Sequence, residues 1–174
     1  MIDAETGSLT DAAEVEALLG RAPQGPFEVV VRDRAGTPVV IRNGPFLDDG
    51  TPMPTRYWLV GRALNREIGR LEGAGGVKNS EAAIDPNELA AAHDAYRAER
   101  DVAIDVLGGD PDRPRPSGGI GGTRRGVKCL HAHVAHHLAT GVDPIGDWAL
   151  GQLSALGVVV DAVLFDSGRV GEVQ

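Results

Sequence analysis

FEVVVRDRAGTPVVIR, residues Phe27 to Arg42, carries two β-branched runs on either side of a glycine-containing turn. Phe27 to Arg32 and Thr37 to Arg42 therefore read as the arms of a β-hairpin, with Arg34-Ala35-Gly36 between them. Downstream, Asp49-Gly50 marks another turn, and Pro52 and Pro54 forbid helix. Thr55 to Val60 then resumes an extended apolar run, expected as a third strand of the same antiparallel sheet. Upstream, Thr10 or Asp11 is placed to cap a short helix through Leu19, with Gly20 as its stop.

The second half reads as helices. Asn65 to Glu72 is a short one with Ile68 and Leu71 inward, closed by the Gly73 to Gly76 stretch. Asp85-Pro86-Asn87-Glu88 is a strong start: a capping residue, proline at the first helical position and an acid in the first turn. That helix is expected to run to about Leu107, where Gly108-Gly109 ends it. Val127 to Ala139 and Asp147 to Leu156 read as two more, with an Asp143-Pro144 turn between them. Val158 to Phe165 is a candidate strand at the sheet edge. The expected fold is a single α+β domain, a small antiparallel sheet from the N-terminal half packed against three to four helices from the second half. Residues 1–22 read as an acidic N-terminal extension with a short helix, its first eight residues disordered; 23–166 form the domain and 167–174 a loose tail.

Composition narrows the function. A chain of 174 residues with 42% hydrophobic and 24% charged residues can bury one core, and 4% aromatics makes that core mostly aliphatic. A net charge of −8 argues against general nucleic-acid binding, which needs a basic face to displace counterions. One cysteine cannot form an internal disulfide, so the expected compartment is a reducing cytoplasm. The acidic N-terminus lacks the basic start of a signal peptide. Ala155 to Phe165, interrupted by Gly157 and Asp161, is too short to span a bilayer. Against the acidic background, residues 113–128 carry Arg113, Arg115, Arg124, Arg125 and Lys128 with no acid among them.

The chemistry gathers in SGGIGGTRRGVKCLHAHVAHHLATG, Ser117 to Gly141, which holds Cys129 and four of the five histidines. On a helix, Cys129, His133 and His136 fall at i, i+4 and i+7, a thiolate and two imidazoles on one stripe with His137 beside it. Three such ligands suit a catalytic zinc site with one open position. Alternatively Cys129 is a nucleophile, its thiolate favoured by Lys128 and a helix N-terminus, with His131 or His136 as acid or base. The glycine run lacks the spacing of a Walker A loop. The alternation from Cys129 to His133 looks like the motif of the histidine-triad nucleotide hydrolases, but a helix directly after His133 does not fit that family. The blander reading makes Cys129 a buried small hydrophobe and the histidines helix lining. Along the long helix, His93, Tyr96 and Arg100 share one face at i, i+3 and i+7, with Arg97 at its border.

Four blocks carry a resemblance: DGTPMPTRYWL (Asp49 to Leu59), RLEGAGG (Arg70 to Gly76), AHDAYRAERD (Ala92 to Asp101) and GVKCLHAHVAHHLATGVDPIGD (Gly126 to Asp147). With them the chain resembles an uncharacterised actinobacterial family, domain of unknown function 501. The resemblance implies that Lys128, Cys129, His131, His136, His93, Tyr96 and Arg100 stand at recurring positions, and that His133 and His137 vary more. Members lie near genes for enolase, a septum-formation initiator and an exopolyphosphatase-like enzyme, which implies a housekeeping setting but no reaction.

Two readings follow. In the first, a small enzyme or ligand-binding protein takes an anionic molecule, phosphorylated ones included, in one pocket beneath the proline–glycine loop. His93, Tyr96, Arg100 and Lys128 bind it, Arg100 and Lys128 holding the anion, while Cys129, His131 and His136 hold a divalent metal such as zinc or do acid–base work. In the second, the protein is a non-catalytic accessory of cell division or envelope growth, docking on a protein partner, with the Cys–His group as a structural site.

Overall fold

The computed structural model describes residues 9–164; the expectations for residues 1–8, for Phe165 and for the tail 167–174 lie outside them. The fold is α+β, as expected. In chain order it runs α1 (Leu9–Leu19), β1 (Phe27–Arg32), β2 (Pro38–Asn43), β3 (Tyr57–Leu59), α2 (Arg62–Gly73), α3 (Gly76–Ala83) and α4 (Pro86–Leu107). A 3-10 turn (Ile120–Gly122), α5 (Leu130–Thr140), α6 (Pro144–Ala155) and β4 (Val163–Leu164) complete it. The sheet has the order β3-β2-β1-β4 and every neighbouring pair is antiparallel.

The hairpin register sets Phe27 opposite Asn43 and Val29 opposite Ile41. Asp33 closes the turn by accepting the Thr37 N–H on its side chain at 2.8 Å. Neither strand alternates cleanly between buried and exposed positions, because both sheet faces are covered. On one face α1 inserts Val15, fully buried, against Phe27, Val29, Ile41 and Val60. On the other, Val40, Tyr57 and Leu59 meet the larger core built from α2, α4, α5 and α6. Helix α5 is the hub, touching α2, α6, the 3-10 turn and strands β1, β2 and β3.

Helix α2 starts earlier than expected, at Arg62, and the edge strand starts later, at Val163; three further boundaries differ for a tertiary reason. The glycines after α2 do not simply end a helix: Gly76 starts α3, with Ser80 fully buried beneath it. Helix α5 begins at Leu130 rather than Val127, because Cys129 is extended and Glu72, reaching from α2, accepts the Leu130 N–H at 2.5 Å. Helix α6 begins at Pro144, three residues early, because the Asp143 side chain accepts the Ile145 and Gly146 N–H groups.

Candidate functional site

Asp85 caps α4 as expected, accepting the Asn87 N–H at 2.7 Å. The helix then buries His93, Tyr96 and Arg100 along one face. Tyr96 and His93 spend their polar atoms on backbone, and Arg100 divides its own between backbone and the Asp101 carboxylate, 3.5 Å from Nε. The Tyr96 hydroxyl donates to the Pro54 carbonyl (3.0 Å) and accepts the Arg56 N–H (2.5 Å), and burial pushes its pKa up to about 12. Arg100 donates from Nη1 to the Gly118 carbonyl (2.6 Å), while its Nε is buried without a hydrogen-bond partner. His93 Nδ1 accepts the Ile120 N–H (3.0 Å), so the ring proton sits on Nε2 and is donated to the Gly126 carbonyl (3.0 Å). Burial lowers the pKa of His93; the Gly126 bond opposes this, and the nearby His133 adds to it.

Helix α5 carries the second group. His133 and His136 both direct Nδ1 at Asp143, at 2.9 Å from Oδ2, and Oδ1 takes the two α6 N–H groups. Burial alone would raise the Asp143 carboxyl, but the hydrogen bonds from His133 and His136 outweigh it and hold it below the ordinary carboxylate range. The His136 ring packs against Tyr57 and Tyr96, with ring centroids at 5.6 and 5.3 Å. His133 stands edge-on to His93 at 5.7 Å, and its Nε2 is buried without a hydrogen-bond partner. His137 donates from Nδ1 to the Asp143 carbonyl at 2.9 Å.

Lys128, Cys129 and His131 lie elsewhere. With Tyr57, Trp58 and Gly121 they line a cavity of about 300 Å³ on the other side of the glycine loop. Burial raises the Cys129 pKa, and neighbouring backbone N–H groups only partly oppose it, so the residue is a thiol at neutral pH rather than an activated thiolate. His131 faces two acceptors, Glu72 Oε1 at 3.1 Å and the Asn65 carbonyl at 3.0 Å. The trio Cys129, His131 and His136 is therefore divided, two at this cavity and one in the core. Among the described residues no group of three His, Cys, Asp or Glu side chains is arranged to hold a metal ion.

The basic run is divided too. Arg113 stacks over Phe46 at 3.7 Å and Arg115 pairs with Asp105 at 3.1 Å. Arg124 and Arg125 instead line a cavity of about 450 Å³ between α3, α4 and the loop, together with Arg97, His93, Leu89 and Ala90. Arg97 pairs with Asp94, and Glu81 at the rim accepts the Val127 N–H at 2.7 Å. Arg124 and Arg125 are exposed, and among the described residues neither pairs with a carboxylate. A larger hollow of about 630 Å³ beside α4 is shallow and edged by Glu88 and Asp147, with no arginine or lysine in its lining.

Sequence reasoning missed Asp143, Glu72, Arg56 and Glu99. Asp143 had a signal, since Asp143-Pro144 repeats the cap-and-proline start of Asp85-Pro86. Arg56 and Tyr57 both donate to Glu99 Oε1, at 3.1 and 2.7 Å, across 43 and 42 residues of chain, and nothing local announces that.

No helix among the described residues is long and apolar enough to cross a membrane. Neither the curated proteins nor the solved structures include a match to this chain. All but the first two residues of the hairpin, with the α4 face, the glycine loop and the α5 histidines, fall inside residues 29–151, the span matched by the family described as "Protein of unknown function (DUF501)", and the chain belongs to that family.

Proposed function

We propose that the protein binds an anionic small molecule in the arginine cleft between α3, α4 and the 123–127 loop. The observation that carries this is the convergence of Arg97, Arg124 and Arg125 on one cavity, two of them without a carboxylate partner among the described residues, in a chain of net charge −8. Guanidinium groups present forked donors that match carboxylate, sulfate or phosphate oxygens. Against Glu81 and Asp94 in the same lining the three arginines leave an excess of positive charge, which concentrates anions locally on an acidic protein. The floor is Leu89, Ala90 and Ile84, with no Phe, Tyr or Trp in the lining, which favours an aliphatic body over a stacked base. Of the residues expected to grip the anion, Arg100 is committed to Gly118 and Lys128 faces the other cavity, so this reading transfers the anion to Arg124 and Arg125. A single cysteine, with no partner for an internal disulfide, is compatible with a cytoplasmic setting.

The test is calorimetric titration with hexyl sulfate, a fixed negative charge on a short aliphatic chain. Saturable binding to the native chain that falls at least about tenfold in Arg124→Ala/Arg125→Ala supports the cleft. Equal binding by both proteins removes it.

A second reading, the docking protein, is favoured by one observation. Val102, Val106 and Leu107, at i, i+4 and i+5 of α4, are 63%, 81% and 62% exposed. Sedimentation of the native chain against Val106→Glu tests it for self-association: loss of a higher oligomer in the variant would move the function to this strip.

A further inference from the structure

We infer that His93 is the positioning residue of the arginine cleft: its singly protonated ring ties the Ile120 N–H to the Gly126 carbonyl, and anion affinity at Arg124 and Arg125 depends on that tie. The inference rests on the cleft reading above and names the group that controls it.

The loop between α4 and α5 has little regular structure of its own beyond one 3-10 turn, and side chains from neighbouring helices hold it. Arg100 takes the Gly118 carbonyl, His93 takes Ile120 N–H and Gly126 C=O, and Glu81 takes the Val127 N–H. His93 alone grips two points, and they bracket Arg124 and Arg125. The grip is close. A Cβ added at Gly119 would lie 2.3 Å from His93 Nδ1, so only glycine there lets the backbone rest on the imidazole. The tie also has a required proton count. Nδ1 must be bare to accept from Ile120, and Nε2 must carry hydrogen to donate to Gly126. A second proton would set two donors against each other at Ile120, whose side chain is fully buried.

The ring's charged surroundings come from every neighbouring element. His133 faces it from α5 with Asp143 behind, Arg97 and Asp94 stand on its own helix, and Glu81, Arg124 and Arg125 share its cavity. An imidazolium here would add positive charge beside the arginines and, by charge alone, strengthen anion binding. Release of the loop acts oppositely. Acidification that weakens binding therefore identifies the tie, and acidification that strengthens it identifies simple charge.

The experiment uses hexyl sulfate again, because its charge is constant across the range in which a histidine titrates. On the native chain the dissociation constant should rise at least about twofold between about pH 8 and about pH 5, a partial loss because the folded pKa of His93 lies below 6.5. His93→Gln places an acceptor and a donor on one amide but does not titrate. It should bind within about threefold of native at about pH 8 and lack the acid loss. His93→Phe keeps the ring volume without either bond, and should bind about tenfold more weakly at about pH 8. Native-like binding by His93→Phe, an acid loss that persists in His93→Gln, or tighter native binding in acid would each overturn the positioning role while leaving the cleft intact. If Arg124→Ala/Arg125→Ala binds as native, the cleft reading fails instead. The tie is then judged without ligand, by whether His93→Phe abolishes hydrogen-exchange protection of the Ile120 amide; unchanged protection overturns it.

Discussion

The two polar centres of this protein differ in how far their polar groups are already used. At Asp143 a carboxylate meets His133, His136 and two backbone N–H groups, all buried, and both of its oxygens are used. At the cleft, Arg124 and Arg125 lie exposed beside an apolar floor with no carboxylate paired to them among the described residues. A cluster of histidines invites a catalytic reading, yet here it is the part of the molecule closed to solvent. Spare capacity, more than unusual residues, marks where a ligand can add something. The face of α4 separates the two centres, with His93 touching both.

Breaking the closed centre should cost most. Asp143→Ala leaves two imidazole N–H groups and two helix-start N–H groups without their acceptor, and is expected to lower unfolding stability by about 3–5 kcal/mol in urea titration. A loss below about 1 kcal/mol would mean that the centre is solvated after all. Its pH signature is distinct. Because the folded carboxyl lies below its unfolded value of 3.8, the stability it contributes is present above that value and is lost as pH falls through the lower, folded one. His93, also lowered in the fold, acts at higher pH: stability should begin to decline as pH falls below its unfolded value of 6.5. That earlier decline should be missing in His93→Gln.

Next comes the contact between loop and helix. Gly119→Ala drives a methyl to 2.3 Å from His93 Nδ1 and should cost about 1–3 kcal/mol in the same titration, with weakened hexyl sulfate binding. Tyr96→Phe removes the hydroxyl that accepts the Arg56 N–H, with an expected loss of about 1–2 kcal/mol and little change at the cleft. The smallest stability effect belongs to the open centre. Arg124→Ala/Arg125→Ala should unfold within about 0.5 kcal/mol of the native chain while losing anion binding. A large destabilisation by that pair would erase the contrast between the two centres.

Much of the fold was legible locally. The hairpin, the third strand and α4 with its Asp85 cap were read from β-branched runs, turn residues and capping chemistry, and they lie where expected. The site was legible only in pieces. His93, Tyr96 and Arg100 were correctly placed on one face of α4, but helical spacing says nothing about what that face meets. It meets backbone, so the three side chains that looked ready for a ligand are occupied within the chain. Cys129, His133 and His136 were put on one stripe by assuming the helix began at Val127. The start at Leu130 depends on Glu72, 58 residues away.

What the sequence determined by itself was therefore periodic or adjacent: which runs extend, which coil, where helices start, and that basic residues crowd between 113 and 128. Only the tertiary structure decided which of those basic groups are spent and which remain. Arg113 found Phe46 and Arg115 found Asp105, while Arg124 and Arg125 were left beside a cavity. Propensity acts over a few residues and repeats along the chain, so it can be read in one dimension. The pairing of a charge depends on groups brought near it by folding, at separations that no local pattern encodes.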